Sequence, residues 1–259
     1  MRHFFHILFR KSLLATLFLV YGFCQAQEEF PTFYAALSGN TWGTDILPHR
    51  KVSWENLFTF ESESKGQHTA ILPTTIIRYG LFKNVELQVS TGFQLWKEEE
   101  DEKHTFGVSP LTVRAKFRLY DGTRILPSIG FLAELQSPHI GSKDLLPAHL
   151  APSLYLLFEN EITDWFGISY NVGAEWDGET ATPTTFLSLC LNFGITDNLA
   201  AYVETFNYLH PKDDNRYMTS VGLSWFASRR VQLYLTTDLD FLRLGKYYAV
   251  NGGVAWLIN

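Results

Sequence analysis

Beyond its first thirty or so residues, the chain alternates apolar and polar side chains almost without interruption. Leu111, Val113, Ala115, Phe117 and Leu119 share one parity, and Thr112, Arg114, Lys116 and Arg118 share the other. Val231, Leu233, Leu235 and Leu239 interleave in the same way with Gln232, Tyr234, Thr236, Asp238 and Asp240. Successive residues of a strand point to opposite faces, so each stretch predicts a strand with one apolar and one polar face. Twelve stretches carry the pattern: 51–61, 69–79, 85–95, 110–120, 125–136, 150–162, 166–176, 184–194, 199–207, 217–226, 231–240 and 247–258. They run 9–13 residues each. Soluble strands average about 5–6 residues, whereas a tilted strand crossing a bilayer needs about 9–11.

The connections alternate between short and long. Residues 80–84, 121–124, 163–165, 195–198 and 227–230 are short, while 62–68, 96–109, 137–149, 177–183, 208–216 and 241–246 are longer. Several long ones are strongly acidic, among them 97–103 (KEEEDEK) and 211–215 (PKDDN). Tight turns at one end and longer loops at the other are the arrangement of an outer-membrane barrel. An even strand count places both termini on the periplasmic side. A soluble β-sandwich is the competing architecture. Strand length, loop alternation and aromatics near strand ends (Trp54, Tyr79, Trp96, Tyr120, Trp165, Trp176, Trp225, Trp256) favour the barrel.

Composition agrees with two opposed surfaces. The 259 residues are 46% hydrophobic and 15% aromatic but only 19% charged. This excludes a disordered chain and a disulfide scaffold. Residues 1–26 read as a secretory signal, with Arg2, Arg10 and Lys11 before the apolar stretch 13–23 and a small-residue cleavage site at Ala26. The remaining chain holds 18 basic and 27 acidic residues, a net charge of −9 that argues against a nucleic-acid partner. It keeps one cysteine, Cys190, and therefore no internal disulfide. The domain reading is a signal over 1–26, a periplasmic segment or plug over 27–50, and a barrel over 51–259.

Several stretches resemble a known family. They are 44–48 (TDILP), 77–87 (IRYGLFKNVEL), 191–199 (LNFGITDNL), 202–204 (YVE) and 252–256 (GGVAW). In these the chain resembles an outer-membrane transporter-like β-barrel family labelled putative MetA-pathway of phenol degradation. It departs from that family at 38–44 (SGNTWGT). The resemblance implies an outer-membrane barrel that passes or binds small, hydrophobic or aromatic molecules.

Candidate chemistry sits on the polar parity. Arg78, Glu86, Arg114, Lys116, Arg118, Glu134, Glu159, Glu175, Glu204 and Asp238, with the aromatics Tyr202, Phe206, Tyr234 and Tyr247, are predicted to line the lumen. A charged constriction that selects solutes and a set of ion pairs that fills the interior are both open readings. Histidines fall in loops without HxH or HExxH spacing, so neither a metal nor another cofactor is expected. No catalytic residue is assigned. The loop holding Ser137, His139 and Ser142 lacks a supporting Asn or Asp, and no GxSxG occurs. The expected function is passive passage of small solutes. The alternatives are an adhesive barrel acting through its outer loops and, further off, a lipase-like barrel enzyme. Expected partners are outer-membrane lipid, a small-molecule solute and, during insertion, the barrel-assembly machinery.

Overall fold

The computed structural model describes residues 33–63, 67–97, 104–211, 214–243 and 245–258. The expected signal lies outside the described residues. Thirteen strands follow one another: β1 (Val52–Glu63), β2 (Gln67–Phe82), β3 (Val85–Lys97), β4 (His104–Val108), β5 (Thr112–Tyr120), β6 (Ser128–Gln136), β7 (Ala151–Thr163), β8 (Phe166–Glu175), β9 (Thr184–Thr196), β10 (Leu199–Leu209), β11 (Arg216–Ser228), β12 (Val231–Asp240) and β13 (Tyr247–Leu257). Apart from β4 and β5, which both pair with β3, each pairs antiparallel with its neighbours in sequence, and β1 pairs with β13 from Ser53↔Leu257 to Glu63↔Tyr247, closing the sheet on itself. Closure pairs the first strand with the last and so removes the sheet edge that a bilayer would not tolerate.

The wall has twelve strand positions, because β4 and β5 occupy one of them. Both pair with β3, and the chain breaks step between them at 109–111. Pro110 lies in that break and has no N–H to give the ladder. The sequence pattern expects a loop over 96–109. The structure instead carries β3 to Lys97 and resumes pairing at His104. It also starts β6 three residues later than expected. Thr123 N–H bonds the carbonyl of Leu126, and Gly122 N–H bonds the Ser128 hydroxyl, which closes a turn across Pro127.

At one end the connections tighten to two residues: 83–84, 164–165, 197–198 and 229–230. Longer loops gather at the other end. Burial runs opposite to that of a soluble protein. Ile77, Val89, Val113, Leu156, Val172, Val221, Leu235 and Val250 face outward and are exposed, while Glu55, Arg78, Glu86, Gln88, Asn171, Glu204 and Gln232 are buried inside. An outward apolar wall around a polar interior is stable when the surroundings are hydrocarbon. Among the described residues, no helix is long and apolar enough to cross a membrane.

The interior also holds apolar side chains. Leu132, Tyr155, Leu157, Phe186, Phe206 and Met218 pack together along one side of the wall. A second group joins Phe33, Ala35 and Leu47, which precede β1, to Tyr234, Ala255 and Leu257 of the wall. Residues 33–47 therefore lie against the inner face of the wall, and Pro48, His49 and Arg50 are exposed where the chain enters β1.

Candidate functional site

Residues 33–50 carry no strand period, and what holds them is the interior surface of the wall. Ala35 N–H donates to Oε1 of Gln232 on β12 at 2.7 Å, and Ala36 N–H to Oε2 of Glu55 on β1 at 2.8 Å. Asn40 and Thr41 donate their N–H groups to the two oxygens of Glu204 on β10, each at 2.9 Å. The side-chain amide of Asn171 on β8 grips the backbone of Trp42 from both sides, accepting its N–H at 2.7 Å and donating to its carbonyl at 2.9 Å. Thr44 gives both N–H and hydroxyl to Oε2 of Glu159 on β7. Leu47 N–H reaches Oε2 of Glu86 on β3 at 2.7 Å. The segment thus makes a circuit past six wall strands. Four inward glutamates serve as acceptors for its backbone, and each such charge-assisted bond contributes about 1.5–3 kcal/mol.

The charge of those glutamates is balanced unevenly. Arg78 on β2 forks onto Glu86, Nε to Oε1 at 2.8 Å and Nη2 to Oε2 at 3.0 Å, and its Nη1 bonds Glu55 at 2.8 Å. Nη1 also donates to the carbonyl of Tyr34 at 2.6 Å, which ties the ion cluster to the segment. All three side chains are at most 3% exposed. Planar bidentate geometry makes arginine the suitable cation here.

The other nominated residues fall into separate environments. Arg114 pairs with Glu134, bonds Ser90 and lies over the ring of Trp42, 5.5 Å from its centroid. Lys116 is buried on β5, and Arg118 reaches Asp121 at 3.0 Å and Asp45 at 3.9 Å. Tyr202 and Tyr234 lie flat across glycines of the neighbouring strand. A Cβ on Gly222 would sit 2.2 Å from the Tyr202 ring, and one on Gly253 2.2 Å from the Tyr234 ring. Tyr155 over Gly173 repeats the arrangement. A ring laid over a glycine shields that strand and fixes its register. The Tyr202 hydroxyl then donates to the carbonyl of Ser38 at 2.6 Å.

Glu175 and Asp238 lie towards the long-loop end and line a cavity of about 700 Å³. Its floor is the segment, through Ala36, Leu37, Gly39, Asn40 and Trp42. Tyr155, Phe186, Phe206, Tyr208 and Tyr247 supply aromatic wall. Of these, Tyr155, Phe186 and Tyr208 are absent from the nominated set. Strand parity identifies them as inward, since Phe186 shares the parity of Cys190 on β9. Volume and lining suit a small solute.

Comparison with known proteins places this geometry. The model of the family described as "Putative MetA-pathway of phenol degradation" matches residues 38–258. No curated protein sequence matches the chain. Among solved structures, an outer membrane channel from Pseudomonas putida F1 superposes with a TM-score of 0.63 at 14% identity, covering 83% of this chain and 98% of that one. A KdgM porin in complex with disordered oligogalacturonate gives 0.57 at 12% identity, with 80% and 99% covered. A further KdgM porin structure gives 0.56 at 13% identity, with 79% and 99% covered. At these identities the shared property is the fold, a closed barrel of the outer-membrane channel type.

Proposed function

We propose that this chain, which belongs to the family described as "Putative MetA-pathway of phenol degradation", acts as an outer-membrane channel for passive passage of small solutes. On this reading residues 33–50 are a resident plug at the periplasmic end. The long loops face outward, and the outward apolar wall meets membrane lipid. The observation that carries the reading is the solute-sized cavity at the long-loop end, floored by a segment whose residues 33–47 are hydrogen-bonded to the wall through wall side chains. Such a contact is separable from the barrel, because none of the wall's own ladder depends on it. The aromatic lining supports a solute with an apolar or aromatic body.

The non-enzymatic reading draws support from the loop that holds Ser137, His139 and Ser142. The Ser137 hydroxyl accepts the N–H groups of His139 and Ile140, and the Ser142 hydroxyl accepts that of Val108. Both oxygens accept backbone N–H groups, one pair within the loop and one at the end of β4, and His139 is exposed.

Proteoliposome swelling with uncharged solutes of graded size tests the channel. Flux that falls with solute size is the expected result. No flux for any solute, in wild type and in a variant with the segment deleted, overturns it.

A further inference from the structure

The cavity above the segment is lined by an excess of negative charge that its own cations do not answer. Five acidic side chains reach it, Glu61 and Asp238 among them, against two arginines and no lysine. Both arginines are already engaged. Arg114 holds Glu134, and Arg216 holds Glu63 at 3.1 Å while lying 5.0 Å from the centroid of the Tyr247 ring.

Two carboxylates stand apart from these pairs. Asp238 on β12 is 8% exposed, and its Oδ2 accepts the Asn251 amide at 2.9 Å. Its Oδ1 is buried and makes no well-formed hydrogen bond, although the Ser220 hydroxyl across the ladder and the Asn40 side chain lie near the carboxylate. Glu175, at the end of β8, accepts only the Tyr155 hydroxyl, at 2.8 Å, among the side-chain bonds of the described residues. Neither lies within ion-pair distance of a lysine or arginine among the described residues. A buried carboxylate with an unanswered oxygen is costly, and a bound cation removes that cost.

The remaining wall is aromatic. Phe186 packs edge-on to Tyr155 at 5.7 Å and tilted to Tyr208 at 5.4 Å, and Phe206 lies edge-on to Tyr208 at 6.1 Å. Faces of such rings attract cations as well as apolar bodies. A neutral aromatic solute would use the rings and leave both carboxylates without a cation. An anion would meet uncompensated negative charge.

We propose that the cavity is a binding site for small organic cations, in particular amines that carry an aromatic or apolar body, with Asp238 and Glu175 taking the ammonium group and Tyr208, Phe186 and Phe206 the body. The proposal deepens the channel reading by naming its solute class. Binding is nevertheless measurable without transport, so the two fail separately.

Three probes share one ring and differ in charge: 2-phenylethylamine, 2-phenylethanol and phenylacetate. Calorimetric titration of the detergent-solubilised barrel at neutral pH is expected to show the amine binding at least tenfold more tightly than the alcohol, with phenylacetate weakest. The double variant Glu175→Gln, Asp238→Asn keeps the volumes. It is expected to lose at least tenfold in amine affinity and to leave alcohol binding unchanged. Equal affinity for amine and alcohol, preference for phenylacetate, or no binding of any probe to wild type overturns the proposal, whatever the variant does. Swelling flux alongside any of these results leaves the channel reading standing.

Discussion

Tyr202 lies across Gly222 of the next strand, directly opposite it in the ladder, and its hydroxyl donates to the carbonyl of Ser38. One side chain thereby covers a strand of the wall and holds the segment inside. A Cβ at Gly222 would stand 2.2 Å from one ring atom and 2.6 Å from the hydroxyl oxygen. Gly222→Ala is expected to destabilise the barrel by about 1–3 kcal/mol, the usual range for overpacking. Gly252→Ala on β13 is the control, since its Cβ would meet only Leu235 Cδ1 at 3.9 Å. Thermal unfolding in detergent should separate the two. Equal midpoints would show that the ring is free to move aside.

Arg78 pairs with two buried glutamates at once. Arg78→Met leaves Glu55 and Glu86 buried without their cation, a change that typically costs about 3–5 kcal/mol. Adding Glu55→Gln and Glu86→Gln should recover part of the loss, because the uncompensated charge is then gone. If the triple variant is no more stable than Arg78→Met, the penalty arises from lost packing and not from charge.

Glu159 and Glu204 together hold residues 40–44 through five hydrogen bonds to backbone and side chain. The double variant Glu159→Ala, Glu204→Ala removes these acceptors. Limited proteolysis of the purified barrel is expected to cut within 33–50 at least tenfold faster than in wild type, with the wall strands still protected. Unchanged cleavage would mean that the apolar contacts of Phe33, Ala35 and Leu47 and the bonds to Gln232, Glu55, Asn171 and Glu86 hold the segment without these two acids.

In the loop after β8, Asp177 Oδ1 accepts the N–H groups of Glu179 and Thr180, each at 2.8 Å. Those bonds favour the ionised form and hold its carboxyl below the ordinary range. A depressed folded-state pKa makes the contribution present above the unfolded value, about 3.9, and lost as pH falls through the folded one. The loop should therefore keep its order at neutral pH and loosen only in strong acid. Asp177→Ala should loosen it at every pH. Amide exchange of Glu179 and Thr180 reads this out.

Alternation made the wall legible from sequence. Side chains of a strand divide by parity, and a bilayer outside with polar groups inside leaves both parities strongly marked. The break at Pro110 was harder to place, because the paired stretch before it, His104–Val108, has only five residues. The course of residues 33–50 was not legible. Its contacts are made by backbone N–H groups, which every residue but proline carries, so its own side chains do not announce them. The receiving glutamates were visible as acids on the inward parity, though ion pairing and backbone capture look alike at that level. The Tyr–Gly pairs join residues about twenty positions apart. They become visible only when strand register is known. The aromatic cavity needed the same knowledge, since Tyr155, Phe186, Phe206 and Tyr208 come from three strands.

The central claim is that residues 33–50 set the permeability of the lumen. Unitary conductance in planar bilayers, compared between the intact barrel and a variant lacking residues 33–47, tests it most directly. Heat-modifiable migration would confirm that the variant is folded. The expected result is small or rare current steps for the intact barrel and steps several-fold larger for the folded deletion. Equal unitary conductance of the two folded proteins would contradict the account.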